Sequence, residues 1–447
     1  MSWIQRYRLR LYFRNSIWIF PALSIVAGMI SVYLLNRVER ALGWQMKMGP
    51  ESGRAVMGAI VSSMFSLVVL GSSTILVVIQ LASAQLTPRI ISLMYRVGIR
   101  KLSLAVFVFT FTFSVGVLVR IEESVPLLTG YLAAYGFLLN LALFIYFVDR
   151  IGKALRPSAV LQYVAYIGRE VICSVYPRVL EERQSTPPEP IKTPDGEPAR
   201  TITSSEDGSV LAFDLKGLAI LAERSNSLIE LMPEVGDFVA AGDPLFRIVR
   251  GGKDISEDSL RDSIAFGPER TIEQDPMFAF RIIVDIASKA LSPAINDPTT
   301  AVLAIDQIHH LLREVGRRHL ADGQERDRRG QVRLLYRTPN WEDFVYLAVT
   351  EVRQYGRDSI QVMRRLRAML ENLIATLPDR RAPLLRKELS LLTTSSRRAF
   401  PDSDDQVLAE TSDLQGMGGG REQNQLHRNA SVFRKPQFQA AALLDQQ

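Results

Sequence analysis

From Ala55 to Arg89 the chain runs for 35 residues without a charged side chain until the last of them. A segment so apolar and so long reads as a membrane helix. At about 1.5 Å of rise per residue it outreaches the roughly 30 Å hydrocarbon core of a bilayer, so the helix must tilt or project beyond it. Gly58, Ser62, Ser66, Ser73 and Gln80 recur at intervals of four, four, seven and seven, which keeps them near one face. Aligned small and hydroxyl residues are the ordinary seam along which membrane helices pack. The same stripe also suits the lining of a pore or cavity, and the sequence leaves both open.

Three further runs, Ser16 to Leu35, Leu102 to Ile121 and Leu127 to Val148, are each long enough to cross a bilayer. The first lacks a small-residue cleavage site after it and is expected to remain as an uncleaved span. Phe107, Phe109, Phe111 and Phe113 alternate as in a barrel strand, but the length of the apolar run favours a helix. Four crossings place both termini on one side. Arg6, Arg8, Arg10 and Arg14, then Arg89, Arg96, Arg100 and Lys101, then Arg150, Lys153 and Arg156 put eleven basic residues on that side. Arg37, Arg40, Lys47, Arg54 and Arg120 put five on the other. The positive-inside tendency makes the richer side cytoplasmic, with both termini inside. Asn140, within the fourth run, is expected to find a partner in the bundle interior and to serve packing.

Composition matters chiefly because it averages two unlike parts: 47% hydrophobic residues overall, with 22% charged. The net charge of +6 does not point to nucleic acid, since much of the Lys and Arg flanks the spans and meets lipid headgroups there. A single cysteine, Cys173, excludes an intramolecular disulfide framework and a Cys-cluster metal site.

The expected architecture is an α-helical membrane protein of four transmembrane helices with an α+β cytoplasmic domain, a small β-module followed by helical hairpins. Residues 1–156 form the membrane domain, with spans at about 16–35, 55–84, 102–121 and 127–148. A helix and a Pro-rich linker occupy 157–200, a small β-rich module 201–252, a helical domain 253–395 and a disordered tail 396–447. Val210 to Asp214, Leu228 to Met232 and Asp237 to Val249 read as strands, and Leu215 to Arg224 as a short helix. In the helical domain Asp275 and Asp297 each precede Pro and an apolar-periodic run, which marks two capped helix starts. The short SPAIND connection between them predicts an αα-hairpin with Asn296 and Asp297 at its tip.

SPAINDPTTA at 292–301, EQDPMFAFRIIVDIASKA at 273–290, QLASAQLTPRI at 80–90 and VRQYGRDS at 352–359 together resemble a bacterial family of predicted membrane proteins catalogued as domain of unknown function 2254. The resemblance reaches to about Thr393. It implies a multi-span inner-membrane protein with a domain outside the bilayer, and it carries no reaction with it.

Candidate site residues fall in three groups. The first is the Gly58, Ser62, Ser66, Ser73 and Gln80 stripe. The second is a polar set, Arg281, Asp285, Asn296, Asp297, Arg353, Tyr355 and Asp358, read as a ligand or interface cluster. The third is Asp306, His309 and His310, where adjacent histidines about 100° apart on a helix do not easily share a metal ion. Arg364 to Arg367 read as the wet side of an amphipathic helix. No phosphate loop, Rossmann fingerprint or nucleophile elbow is present, and neither a cofactor nor a metal is expected. The leading expectation is an oligomeric, channel- or transporter-like unit regulated by its cytoplasmic domain, with the lipid bilayer and further copies of itself as partners. The alternatives are a membrane-tethered sensor or scaffold that binds a cytoplasmic ligand or protein, and a membrane enzyme using the Asp306/His309/His310 region.

Overall fold

The computed structural model describes residues 2–46, 48–91, 93, 98–122, 125–180 and 200–419. It divides into two compact units, one spanning Arg6–Val160 and the other built mainly from the chain after Leu161.

In the first unit α1 (Trp3–Asn15) leads to α2 (Ile19–Leu42), β1 (Gln45–Met46), α3 (Pro50–Gln85), α4 (Gly98–Leu118), β2 (Val125–Pro126) and α5 (Leu127–Ala154). Four helices, α2, α3, α4 from Lys101, and α5, are long and apolar enough to cross a membrane. Unbroken over 36 residues, α3 extends about 54 Å at 1.5 Å per residue, well beyond a hydrocarbon core. The core joins Met64, Phe107, Phe113, Val117 and Ala133. Phe107 and Phe113 point inward while Phe109 and Phe111 are half-buried, so helical spacing resolves the alternation seen in the sequence.

Polar groups fasten this bundle where the sequence offers no apolar alternative. Glu39, buried at the end of α2, accepts hydrogen bonds from the backbone N–H of Leu128 and of Thr129 (3.1 Å), and from the Thr129 hydroxyl (2.8 Å). Its carboxylate thus caps the first turn of α5, where Pro126 offers no side-chain acceptor of its own. Arg54 of α3 donates to the Ile121 carbonyl at 3.0 and 2.7 Å. Beside it β1 and β2 pair antiparallel, so the two helix connections at this end are tied together. Within the bundle the buried Asn140 amide of α5 donates to Thr110 Oγ1 of α4 at 2.8 Å and to the Gly136 carbonyl at 2.7 Å, which is a bridge between neighbouring spans.

The second unit takes in most of α6 (Pro157–Val175). At Gly168 this helix lies so close to later elements that an added Cβ would stand 2.7 Å from Ala279 Cβ, a contact only glycine permits. The helix ends at Val175. The chain there pairs with a distant segment instead, Leu180 N–H donating to the Arg317 carbonyl (2.8 Å) and His319 N–H to that of Arg178 (2.9 Å). Residues 181–199, which hold the expected Pro-rich linker up to its last residue, lie outside the described residues, and Arg200 begins the first strand of the second unit.

Next come β3 (Arg200–Thr203), β4 (Gly208–Phe213), α7 (Leu215–Arg224), β5 (Leu228–Leu231), β6 (Phe238–Val239), β7 (Pro244–Arg250), α8 (Glu257–Arg261) and β8 (Ile264–Gly267). The paired helices α9 (Pro276–Ala290) and α10 (Pro298–Gly316) follow, then β9 (Gln324–Arg326) and β10 (Val332–Tyr336). Four more helices complete the described chain: α11 (Trp341–Tyr355), α12 (Ile360–Thr376), α13 (Ala382–Ala399) and α14 (Ser403–Ala409). One sheet has the order β3-β7-β5-β10-β9 and a smaller one β6-β4-β8. Val210, Phe213, Leu218, Ile229, Phe246 and Leu334 meet in a common core.

Two expectations are corrected here. The β-rich region does not stop at 252, and 253–395 is not purely helical: β8 pairs with β4, and β10 inserts beside β5 in parallel, after two intervening helices. Leu334 is fully buried in the sheet core, so burial between layers, not local period, sets the strand. The second correction concerns the tail. Residues 396–419 are ordered, and the arginines of α12 are not a wet face: Arg364, Arg365 and Arg367 are 1%, 7% and 9% exposed. Arg364 donates to three backbone carbonyls of the C-terminal segment, those of Thr411 (3.1 Å), Gly418 (3.1 Å) and Gly419 (2.9 Å). Asp413 accepts from the N–H groups of Gln415, Gly416 and Gly418 and shapes the same turn. Gly416 and Gly418 adopt φ of 69° and 78°, so the glycines that read as disorder are there to permit left-handed backbone. Residues 420–447 lie outside the described chain.

This strap has a clear energetic test. Arg364→Ala strands three carbonyls and should destabilise the protein by at least about 2 kcal/mol. Hydrogen exchange should show the loss of protection concentrated at 411–419; unchanged protection there would contradict the latch.

Candidate functional site

Among the described residues the stripe on α3 faces away from the packed side of its own bundle. The buried face of α3 is Gly53, Met57, Ile60, Met64, Gly71, Ile75, Val78, Ile79 and Ala82. Ser62, Ser66, Ser73 and Gln80 are exposed, and Gly58 is half-buried with nothing within 4 Å of where a Cβ would stand. Ala55, Ala59 and Ala84 are exposed as well, so small residues extend along the helix beside the hydroxyls. Ser66 Oγ donates back to the Ser62 carbonyl at 3.0 Å, which lets that hydroxyl face an apolar medium at low cost. A Gln amide carries two donors and an acceptor and has no such local solution.

In the second unit the polar set separates into distinct places. Arg281 on α9 holds Asp285 one turn on (Nε to Oδ1, 2.7 Å) and grips both oxygens of Glu351 on α11 at 2.6 and 2.7 Å. This bidentate fork favours the charged guanidinium and raises the Arg281 pKa, the Glu351 hydrogen bond being the largest cause. Glu351 also lines a groove of about 490 Å³ with Tyr346, Arg353, Lys387 and Glu388. There Arg353 Nε lies 3.5 Å from Glu388, whose side chain is 1% exposed, and Arg353 Nη1 donates to Ser395 Oγ at 3.2 Å. Lys387 Nζ donates to the Tyr346 hydroxyl at 3.3 Å. Of the residues singled out in the sequence, Arg353 therefore lines the groove and Arg281 stands behind it through Glu351.

The others are elsewhere. Nine helical steps, about 13 Å at 1.5 Å each, separate Arg281 from Ala290, beyond which the hairpin tip begins. At that tip Asn296 adopts φ of 47° and Asp297 caps α10, accepting from Thr300 N–H at 3.0 Å and from the Thr300 hydroxyl. Tyr355 is exposed, and Asp358 pairs with Arg357 at 3.4 Å on open surface, a contact worth little. The third group is bound up in side-chain pairing. Asp306 holds Arg365 at 2.7 Å and His309 Nε2 meets Asn372 Oδ1 at 2.9 Å, while His310 is exposed. Burial lowers the His309 pKa below its usual value. Among the described residues no group of three or more His, Cys, Asp or Glu side chains is placed to hold a metal.

Glu351 and Glu388 were not singled out in the sequence. Glu388 had a signal: it interrupts the buried stripe Leu385, Glu388, Leu392 at helical spacing. Glu351 had none, because its partner is 70 residues away.

A family model described as a predicted membrane protein (DUF2254) matches residues 14–372. The chain belongs to the DUF2254 family. It is 25% identical over 420 residues to the uncharacterized proteins Mb1321c of Mycobacterium bovis and Rv1290c of Mycobacterium tuberculosis, covering 89% of this chain and 79% of each relative. No solved structure matches it. The DUF2254 match includes α3, the α9/α10 hairpin and Glu351, and stops before Lys387 and Glu388.

Two outcomes follow from these sites. Asp297→Ala should destabilise the second unit by about 0.5 to 2 kcal/mol in denaturant melts, with Asp297→Asn or Ser recovering most of it, as for a helix cap. A failure of Asn and Ser equal to that of Ala, in folded protein, would assign the carboxylate a role beyond capping. Glu234, half-buried in the turn after β5, has its pKa pushed up to about 7 by burial and then by Asp237, with Arg337 opposing. The folded state then holds a proton that the unfolded chain, with an ordinary Glu near 4.5, releases. This contribution to stability is fully present below about 4.5, declines as pH rises and levels off above about 7. Glu234→Gln should flatten that part of the stability profile; an unchanged slope would contradict the assignment.

Proposed function

We propose that this DUF2254 membrane protein works as a homo-oligomer in which the outward stripe of α3 meets its copies, forming a channel- or transporter-like unit controlled by the second unit. The observation that carries the proposal is the exposure of Ser62, Ser66, Ser73 and Gln80 on a span whose buried face lies elsewhere. Lipid offers a Gln amide no partner, whereas another copy offers hydroxyls, carbonyls and small residues that allow close backbone approach. Where more than two such stripes converge, the same groups line a polar path. The basic-residue asymmetry supports a cytoplasmic placement of the termini and of the second unit. A second reading, a membrane-tethered sensor, draws on the groove at Glu351, Arg353, Lys387 and Glu388, where both signs of charge converge on one cavity.

Single cysteines in a Cys173→Ser background test the assembly. Ser66→Cys and Ser73→Cys should cross-link between copies in membranes far better than Leu139→Cys, an exposed apolar position on α5. Ion or solute flux through reconstituted liposomes should then be blocked by a bulky thiol reagent at Ser66→Cys. Equal cross-linking at all three sites would remove the interface. Cross-linking without any flux would favour the sensor.

A further inference from the structure

The sequence marks residues 6–14 only as a basic flank, but they lie in α1, and its side chains are sorted. Leu9, Tyr12 and Phe13 are 44%, 53% and 48% exposed and stand at i, i+3 and i+4, on one strip. At 100° per residue Arg8 borders that strip on one edge and Arg6 and Arg10 on the other, all three exposed. No Asp or Glu occurs before Glu39. An apolar strip flanked by arginine on both edges is the pattern of a helix lying in a membrane interface, its rings in the acyl boundary and its guanidinium groups at phosphate level.

Position agrees with pattern. Only residues 16–18 separate α1 from α2, the first candidate span, so their extended reach holds the end of α1 within about 14 Å of it. Lys101, at the start of the third candidate span, is buried and donates to the carbonyls of Phe13 (3.3 Å) and Arg14 (2.6 Å). The last turn of α1 is thereby fixed at the end of a second membrane helix. At the bend a cavity of about 540 Å³ opens between Arg8, Tyr12, Asn15 and the exposed Trp18, joining a cation, a hydroxyl, an amide and an interfacial ring.

We propose that α1 is an interfacial helix that binds anionic phospholipid, with Leu9, Tyr12 and Phe13 inserted at the acyl boundary and Arg6, Arg8 and Arg10 on the headgroup phosphates. A lipid headgroup is the occupant because the strip is both apolar and cationic and is fixed at the boundary of two spans. A soluble anion would satisfy the charge and leave the rings in water.

The test uses the full chain with Cys173→Ser in nanodiscs of phosphatidylcholine alone or mixed with phosphatidylglycerol. Spin labels go at Leu9→Cys and Phe13→Cys, with Asp258→Cys, 95% exposed, as the aqueous reference. In the mixed discs the labels at 9 and 13 should be reached by oxygen in preference to a water-soluble nickel chelate. The Arg6→Gln/Arg10→Gln pair should weaken retention of phosphatidylglycerol in native mass spectra by about tenfold, and Arg6→Lys/Arg10→Lys should restore it; added glycerol phosphate should not compete. Labels at 9 and 13 as open to the chelate as the reference would overturn the proposal. So would shielding from both reagents, which would mean a protein contact, or immersion and retention that ignore lipid charge and the Gln variants.

Discussion

Hydrocarbon cannot hydrogen-bond a peptide group, and the four long apolar helices of the first unit follow from that constraint. The spans are helices because only a helix satisfies its backbone within one segment. Helix ends remain open under the same rule, and charged side chains close them. Glu39 binds the first N–H groups of α5, Arg54 the Ile121 carbonyl, and Lys101 the last carbonyls of α1. Each ion is placed where the partial charge of a helix end or a stranded carbonyl opposes its own. Removing any one would leave backbone groups without a partner, a larger loss than that of an exposed ion pair.

The second unit applies the same logic with arginine. Arg281 binds a carboxylate through two parallel hydrogen bonds across two helices, and Arg364 binds three carbonyls with no carboxylate at all. The difference has a cause in geometry. A guanidinium presents its donors in a fixed plane, so one end can fork onto Glu351, while elsewhere the same donors spread across a glycine-rich turn whose carbonyls converge. Lysine, with a compact ammonium, would match neither arrangement.

What the sequence revealed was local. The four apolar helices, the caps at Asp275 and Asp297 and the helix Leu215–Arg224 all rest on periods and on residues within one turn, and the fold contains them. Val332–Tyr336 was missed because a strand that completes a sheet after two helices is defined by Ile229 and Leu231 on its neighbour, not by its own spacing. Arg364 was misread for a related reason. An arginine on an amphipathic helix looks solvated until the segment that covers it is known, and the GMGGG stretch resembles a flexible tail because glycine serves flexibility and tight turns alike. At the candidate groove Arg281 and Arg353 could be chosen by charge, but only the tertiary pairing with Glu351 and Glu388 connects them.

The polar residues of the membrane unit also separate by direction, and this bears on what the unit can be. Asn140 and Thr110 face each other inside the bundle and use their donors on one another, so they hold one copy together. The α3 serines and Gln80 face away from that interior. Had the stripe served internal packing, it would coincide with the seam of Gly53, Met57, Met64 and Gly71, which is instead filled by apolar side chains and close backbone contacts. One face of α3 is apolar and buried, while the other carries the serines and Gln80 among exposed Val69, Leu70, Leu76 and Val77, and of these outward groups the Gln amide is the one for which lipid is the poorest solvent.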